Sequence, residues 1–190
     1  MGITFLTKNE VGKLMAVPNV ECITGLRNRL VMGMMHEAGL RVSEVLGLHV
    51  EDVEVEEKRV DVLRGKGARP RVVYFHSEEL VYLLERWLRE RPEPDSSYLF
   101  INIKENRGER MSPDNVNKIV ARYAEKAGIR KPVSPHVLRH TFATELLREG
   151  NHIRLVQVAL GHRWLTSTMV YTHVENSEIK SALAGRTAGQ

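Results

Sequence analysis

One stretch of the chain, Val133 to Val174, carries His136, Arg139, His162 and Tyr171, each at a predicted helix edge or just past a predicted helix stop. His136 and Arg139 are three residues apart, so on a helix they share one patch of surface. A cationic pair in the first turn of a helix can hold a phosphate, because unpaired backbone N–H groups and the helix dipole already favour an anion there. The sequence around them supplies that first turn. Ser134 followed by Pro135 predicts a helix start, with the Ser side chain accepting from a free N–H and Pro giving up a donor that had no partner. Leu138, Phe142 and Leu146, with Ala143 and Leu147 beside them, form an apolar stripe at helical spacing that should face a core. Gly150 is placed to end this helix in the left-handed conformation, and Asn151 to cap the next. Ile153, Leu155, Val156, Ala159 and Leu160 predict a mostly buried second helix, stopped by Gly161. A third segment starting near Thr166 or Ser167 carries Tyr171.

Three other readings fit parts of this pattern. His136 and His140 have the spacing of a helical metal pair, but the zinc-protease version needs Glu after the first His, and here Val137 follows. Cys22 is the only Cys, which removes a thiolate-rich site. A helix-turn-helix with Gly161 in its turn fits the turn, yet Met169 and Val170 do not supply the polar base readers of a recognition helix. Tyr171 taken alone reads as an interfacial core residue, the usual place for a single Tyr.

The string H-V-L-R-H-T-F-A-T-x-L-L, then Gly150, then a short helix ending L-G-H, then Y-T-H-V, closely resembles the C-terminal motif of the tyrosine recombinases, the phage-integrase and Xer-type family. Upstream, Gly39 to Leu48 (G-L-R-V-S-E-V-L-G-L) resembles the family's first arginine motif, and Arg64 to Arg71 (R-G-K-G-A-R-P-R) its lysine hairpin. The motifs occur in the family's order and span nearly the whole chain. The resemblance implies an α+β, mainly helical catalytic domain that exchanges DNA strands through a covalent 3′-phosphotyrosine at Tyr171. A phenol with an ordinary pKa of about 10 needs a base and strong stabilisation of charge on phosphorus. In the implied assignment Arg41 and Arg139 hold the non-bridging oxygens, His136 exchanges a proton with Tyr171, Lys66 protonates the departing 5′ oxygen, and His162 donates to the same phosphate. The partner the resemblance implies is double-stranded DNA, with a homo-oligomer, a tetramer, expected on DNA and a monomer possible when free. No metal, nucleotide or other cofactor is implied.

The chain departs from the family pattern at Trp164, Asn151 and Pro70, none of which removes a catalytic group. Family members commonly carry an N-terminal domain that clamps the other face of DNA, whereas this chain begins almost at the catalytic region. Either an excised catalytic fragment or a minimal recombinase is expected, with a weak grip because fewer phosphates are neutralised. Two other functions use the same features: a type IB topoisomerase-like relaxing activity, and a DNA-binding accessory factor without turnover.

At 190 residues the chain is long enough for one domain that buries roughly 70% of its unfolded surface. We expect that domain over residues 1–184, with residues 185–190 a loose tail. A formal net charge of +4 suits an anionic partner without proving one. One Cys allows no intramolecular disulfide, and the N-terminus lacks the pattern of a signal peptide, so a cytoplasmic protein with no membrane partner is expected.

The remaining elements are read from pattern. Thr7 and Glu10 form a capping box for a short helix through Met15, ended by Pro18. Cys22 to Ala38 predicts a helix stopped by Gly39, after which Leu40 buries and Arg41 opens another short helix. The reading of Arg41 as a plain surface cation stands beside this. From Val50 to His76 the period changes: Val53 to Val55, Val60 to Leu63 and Arg71 to Phe75 predict a small three-stranded antiparallel sheet. Its second turn, Gly65-Lys66-Gly67, projects Lys66, and with Arg64, Arg69 and Arg71 makes a cationic finger for DNA, or simply a solvated turn. Ser77 opens an amphipathic helix to about Glu90, and Tyr98 to Ile101 is a short buried extended piece. Asn102 to Met111 reads as a surface loop that could touch DNA. Ser112-Pro113 starts a helix to Ala127 whose exposed side carries Lys118, Arg122 and Lys126, placed to follow a DNA backbone, though such faces are often only solvated. Glu175 to Ala184 predicts a last short helix.

Overall fold

A computed structural model describes residues 4–63 and 70–161 of the chain. Arg64, Lys66, Arg69, His162 and Tyr171, together with the predicted third segment, last helix and tail, lie outside the described residues. Within them the architecture is α+β and mainly helical: α1 (Lys8–Ala16), α2 (Ile23–Glu37), α3 (Val42–Gly47), β1 (Val53–Glu54), β2 (Arg59–Val62), β3 (Arg71–Tyr74), α4 (Glu78–Glu90), α5 (Pro113–Lys126), α6 (Pro135–Arg148) and α7 (Ile153–Leu160).

Helix α2 is the axis. Leu26, Leu30, Met34 and Met35 are fully buried, and α6 and α4 are the helices it meets most extensively. Because neighbours surround it, its polar and charged positions are enclosed too: Arg27, Asn28 and Arg29 are buried. Arg27 donates to the Ile101 carbonyl (2.9 Å) and to Asn28 Oδ1, and Asn28 donates to the Tyr123 hydroxyl at 3.0 Å. These bonds fasten α2 to the 101 segment and to α5. The Cys22–Ala38 periodicity locates the helix but not this enclosure.

The capping box on α1 forms as read: Glu10 N–H donates to Thr7 Oγ1 and Thr7 N–H donates to Glu10 Oε2. The three strands pair antiparallel in the order β1-β2-β3, with Val60 opposite both Val53 and Val73. Alternation turns Val60, Val62 and Val73 inward, while Val72 and Tyr74 remain exposed. Tyr98 to Ile101 makes isolated bridges, His49 to Tyr98 and Ile101 to Arg110, and Leu99, Phe100 and Ile101 are buried.

Three local expectations are corrected. Ser134 precedes α6, but its side chain makes no capping hydrogen bond; its backbone carbonyl accepts from Val137 at 2.9 Å. Asn151 does not cap α7: its side-chain amide donates to the Leu146 carbonyl at 2.9 Å, closing α6, and His152 Nδ1 accepts from Arg154 N–H at 3.2 Å. Helix α7 is also less buried than its composition suggests. Val156 and Leu160 join Ala143 and Leu147 in a small second core, whereas Leu155 and Val158 face outward. Eight residues packed on one helix can hide only one stripe.

Candidate functional site

Gly39 ends α2 in a left-handed conformation (φ +62°), and a Cβ there would stand 2.4 Å from the ring of Phe142 on α6. Only glycine lets the chain turn against α6 at this point. The turn buries Leu40 and delivers Arg41 as the residue before α3. Arg139 comes to the same place from the first turns of α6, donating to the Gly39 carbonyl through Nη1 and to the Leu160 carbonyl through Nη2 at 2.6 Å. One guanidinium thereby joins the ends of α2 and α7.

At the centre lies Glu44, with a side chain only 1% exposed. Its Oε2 accepts from the Arg41 backbone N–H at 2.8 Å, and its Oε1 from Arg41 Nη1 at 2.9 Å. Arg71, from β3, sets Nη1 on Oε1 and Nη2 on Oε2, both at 2.9 Å, a two-pronged pair. Arg139 Nη1 stands 3.7 Å from Oε2. Burial alone would raise the Glu44 carboxyl, but the hydrogen bonds from Arg71 and the Arg41 backbone, with the charges of Arg71 and Arg139, bring it down to about 2. The carboxylate is therefore ionised throughout the neutral range. Three guanidiniums against one carboxylate leave the cluster with an excess of positive charge. Arg41, with 34% of its side chain exposed, opens that charge to the surface.

His136, on the exposed side of α6, completes the described part of the site. Partial burial, then the charges of Arg139 and Arg41, hold its pKa below the ordinary imidazole value. Its ring meets that of His140 edge-on, with centroids 5.2 Å apart. His140 is shifted down as well, by burial and then by His136 and Arg139. Both rings are thus neutral at neutral pH. Among the described residues, no third His, Cys or carboxylate joins them in a metal-holding group.

Of the residues picked out in the sequence, the structure brings Arg41, His136 and Arg139 together. Lys118 and Arg122 are exposed on α5, with Arg122 over the Tyr123 ring at 5.5 Å. Arg71, read from sequence as a DNA contact, has a side chain only 10% exposed and its guanidinium on Glu44. Glu44 itself is not among the site residues that sequence reasoning picks out. The available signal is the Arg41-x-x-Glu44 spacing, which places a carboxylate where it can reach back to the N–H and guanidinium of Arg41.

Such an arrangement can hold an anion on Arg41 and Arg139 while a neutral imidazole beside it accepts a proton. Comparison with known proteins identifies the chain's relatives. The tyrosine recombinase XerA of Pyrococcus horikoshii is 39% identical over 178 residues, which are 94% of this chain and 59% of that protein. The tyrosine recombinase XerC of Thermodesulfovibrio yellowstonii is 37% identical over 179 residues, 90% of this chain and 58% of that protein. The chain thus spans under two thirds of the length of these relatives. Among solved structures, XerA recombinase superposes with a TM-score of 0.84 at 32% identity, covering 98% of this chain and 66% of that one. XerH site-specific recombinase bound to a palindromic difH substrate, a post-cleavage complex, gives 0.80 at 30% identity over 97% of this chain and 53% of that one. Residues 4–178 match the phage integrase family, and the chain belongs to it.

Proposed function

We propose that this chain is the catalytic part of a site-specific DNA recombinase that cleaves and rejoins strands through a 3′-phosphotyrosine at Tyr171. The observation that carries the reading is the convergence of Arg41 and Arg139, from two separate helices, on Glu44 beside a neutral His136. Permanently charged, planar guanidiniums fixed before substrate arrives stabilise charge on the non-bridging oxygens without reorganising during reaction. His136, held neutral, is ready to take the Tyr171 proton, and its protonated form can return one in the rejoining step. Lys66 as the acid for the 5′ oxygen, His162 as a phosphate donor and Tyr171 as nucleophile rest on the family motifs.

Balance of the step is simple. The Tyr171 oxygen bonds to phosphorus, the bond to the 5′ oxygen breaks, and that oxygen takes a proton. One phosphodiester is replaced by another, so no external energy source is required. Support for a substrate that is cut comes from the related XerH site-specific recombinase, described as bound to its difH substrate before and after cleavage; that this chain's substrate is double-stranded DNA is part of the proposal. We place the catalytic unit in residues 1–184, its work in the cytoplasm, and its active form as a tetramer on DNA. Lys118 and Arg122, with Arg64 and Arg69, would neutralise flanking phosphates.

A pool of nicked duplexes of randomised sequence tests this whatever the target site is. Wild type should retain a sequence-defined subset covalently through denaturation, and Tyr171→Phe should retain none. An adduct that persists in Tyr171→Phe would reject the assignment.

A further inference from the structure

Arg71 is the third guanidinium on Glu44, and it comes from neither helix that supplies Arg41 and Arg139. It takes both carboxylate oxygens at once, in a side chain only 10% exposed. Its stem lies under the end of α7: a Cβ built on Gly161 would stand 2.9 Å from Cδ, Nε and Cζ of Arg71. With Gly161 left-handed at φ +62°, the turn closes directly over the guanidinium. An exposed residue gripping DNA would not be covered in this way.

Charge explains what Arg71 does there. Glu44 is held ionised, so it attracts Arg41 and Arg139, the two groups that should face a phosphate. Were it left to those two, the carboxylate would compete with the substrate for them, at short range and in a buried setting where such attraction is strong. Arg71 shares both oxygens with Arg41 and offsets the carboxylate's charge, which weakens the hold Glu44 has on the other two guanidiniums. It also fixes β3, the strand that follows Lys66 in sequence, against the base of the arginine pair. We infer that Arg71 is a positioning residue which neutralises Glu44 so that Arg41 and Arg139 remain available to the scissile phosphate. The inference rests on the reading of the site given above.

Its test separates DNA grip, protein stability and positioning. With the selected nicked duplex at saturating concentration, adduct formation is measured for wild type, Arg71→Ala, Arg71→Lys and the double variant Arg71→Ala/Glu44→Gln, alongside the DNA Kd and thermal unfolding of each. Arg71→Ala should react about 30- to 100-fold more slowly at saturation, a loss below that of removing a preorganised donor outright, while its Kd changes less than about threefold. Arg71→Lys, which keeps the charge but not the two-pronged geometry, should lose about tenfold. Neutralising both partners should recover part of the rate, about fivefold or more over Arg71→Ala, because an uncharged amide in place of the carboxylate no longer draws the arginines inward. Should Arg71→Ala fold too poorly to measure, Arg71→Lys decides: slowed at saturation with unchanged Kd supports the inference.

Two results would overturn it. One is a Kd raised about tenfold or more with the saturated rate unchanged, which makes Arg71 a DNA contact. The other is a double variant that is folded but no faster than Arg71→Ala, or an Arg71→Lys at the wild-type rate. Failure of wild type to form any Tyr171 adduct would instead reject the function proposed above, and is read from a different lane of the same experiment.

Discussion

Arg27 and Arg139 are hidden to nearly the same degree, 5% and 4% exposed, yet their surroundings differ. Arg27 gives its donors to a backbone carbonyl and to an Asn side chain, and among the described residues it has no carboxylate in ion-pair reach. Burial brings its pKa down to about 10, opposed by Tyr123. Arg139 also bonds two backbone carbonyls, but Glu44, Arg41 and His136 surround it at a place where Arg41 reaches the surface. A buried arginine held only by neutral acceptors ties helices together. One that shares a carboxylate with other arginines, beside an opening, is equipped to act on a ligand.

Substituting the two arginines in turn separates these roles, and the largest effect is expected at the site. Arg139→Ala should slow adduct formation by about 100- to 1000-fold at saturating DNA. Arg27→Met should leave that rate within about threefold but cost about 1–3 kcal/mol of stability, from carbonyl and amide acceptors left unpaired, read as a Tm lower by several degrees. An Arg27→Met protein of full stability and impaired rate would erase the distinction.

Next in size is Glu44→Gln. Taking one partner from a buried ion cluster leaves like charges facing each other, so a loss of about 3–5 kcal/mol is expected in denaturant unfolding at neutral pH. The sign follows from the depressed carboxyl: below the pKa of the folded state, about 2, both proteins carry a neutral group there. The advantage of wild type over the variant should therefore shrink as pH falls from the ordinary carboxyl value towards about 2.

A smaller pH effect comes from His36, near the end of α2. Burial, then the charge of Arg29, lowers His36 to about 4, and its Nε2 stands 3.7 Å from Glu145, too far for a hydrogen bond. The unfolded chain takes up a proton on this ring as pH falls through about 6.5, whereas the folded chain resists until about 4. Stability should be lost over that window by about 2–3 kcal/mol, and His36→Gln should flatten the dependence. Smallest of all, Lys118→Ala and Arg122→Ala should each reduce the slope of log Kd against log salt by about 1 with little change in saturated rate.

Much of the scaffold is legible in the sequence because local rules and tertiary packing agree. The Thr7–Glu10 box, the Gly39 turn and the three alternating strands need only neighbours in sequence. Legibility fails where the partner lies far along the chain. Nothing near Arg71 in sequence reveals Glu44, twenty-seven positions away, and nothing near Arg27 reveals the Ile101 carbonyl seventy-four away. Sequence position points to Asn151 as the cap of α7, and the geometry at the end of α6 gives that place to His152 instead. The outward Leu155 departs from expectation for a related reason: composition counts apolar residues but does not say how many faces a short helix can cover.

Tyr171 as the nucleophile is tested most directly by peptide mapping of the covalent protein–DNA complex, using mass spectrometry after nuclease and protease digestion. A nucleotide attached through its 3′ phosphate to the peptide containing Tyr171 is predicted, in a yield that falls steeply in Arg139→Ala. A nucleotide on any other residue, or attachment through a 5′ phosphate, would contradict it.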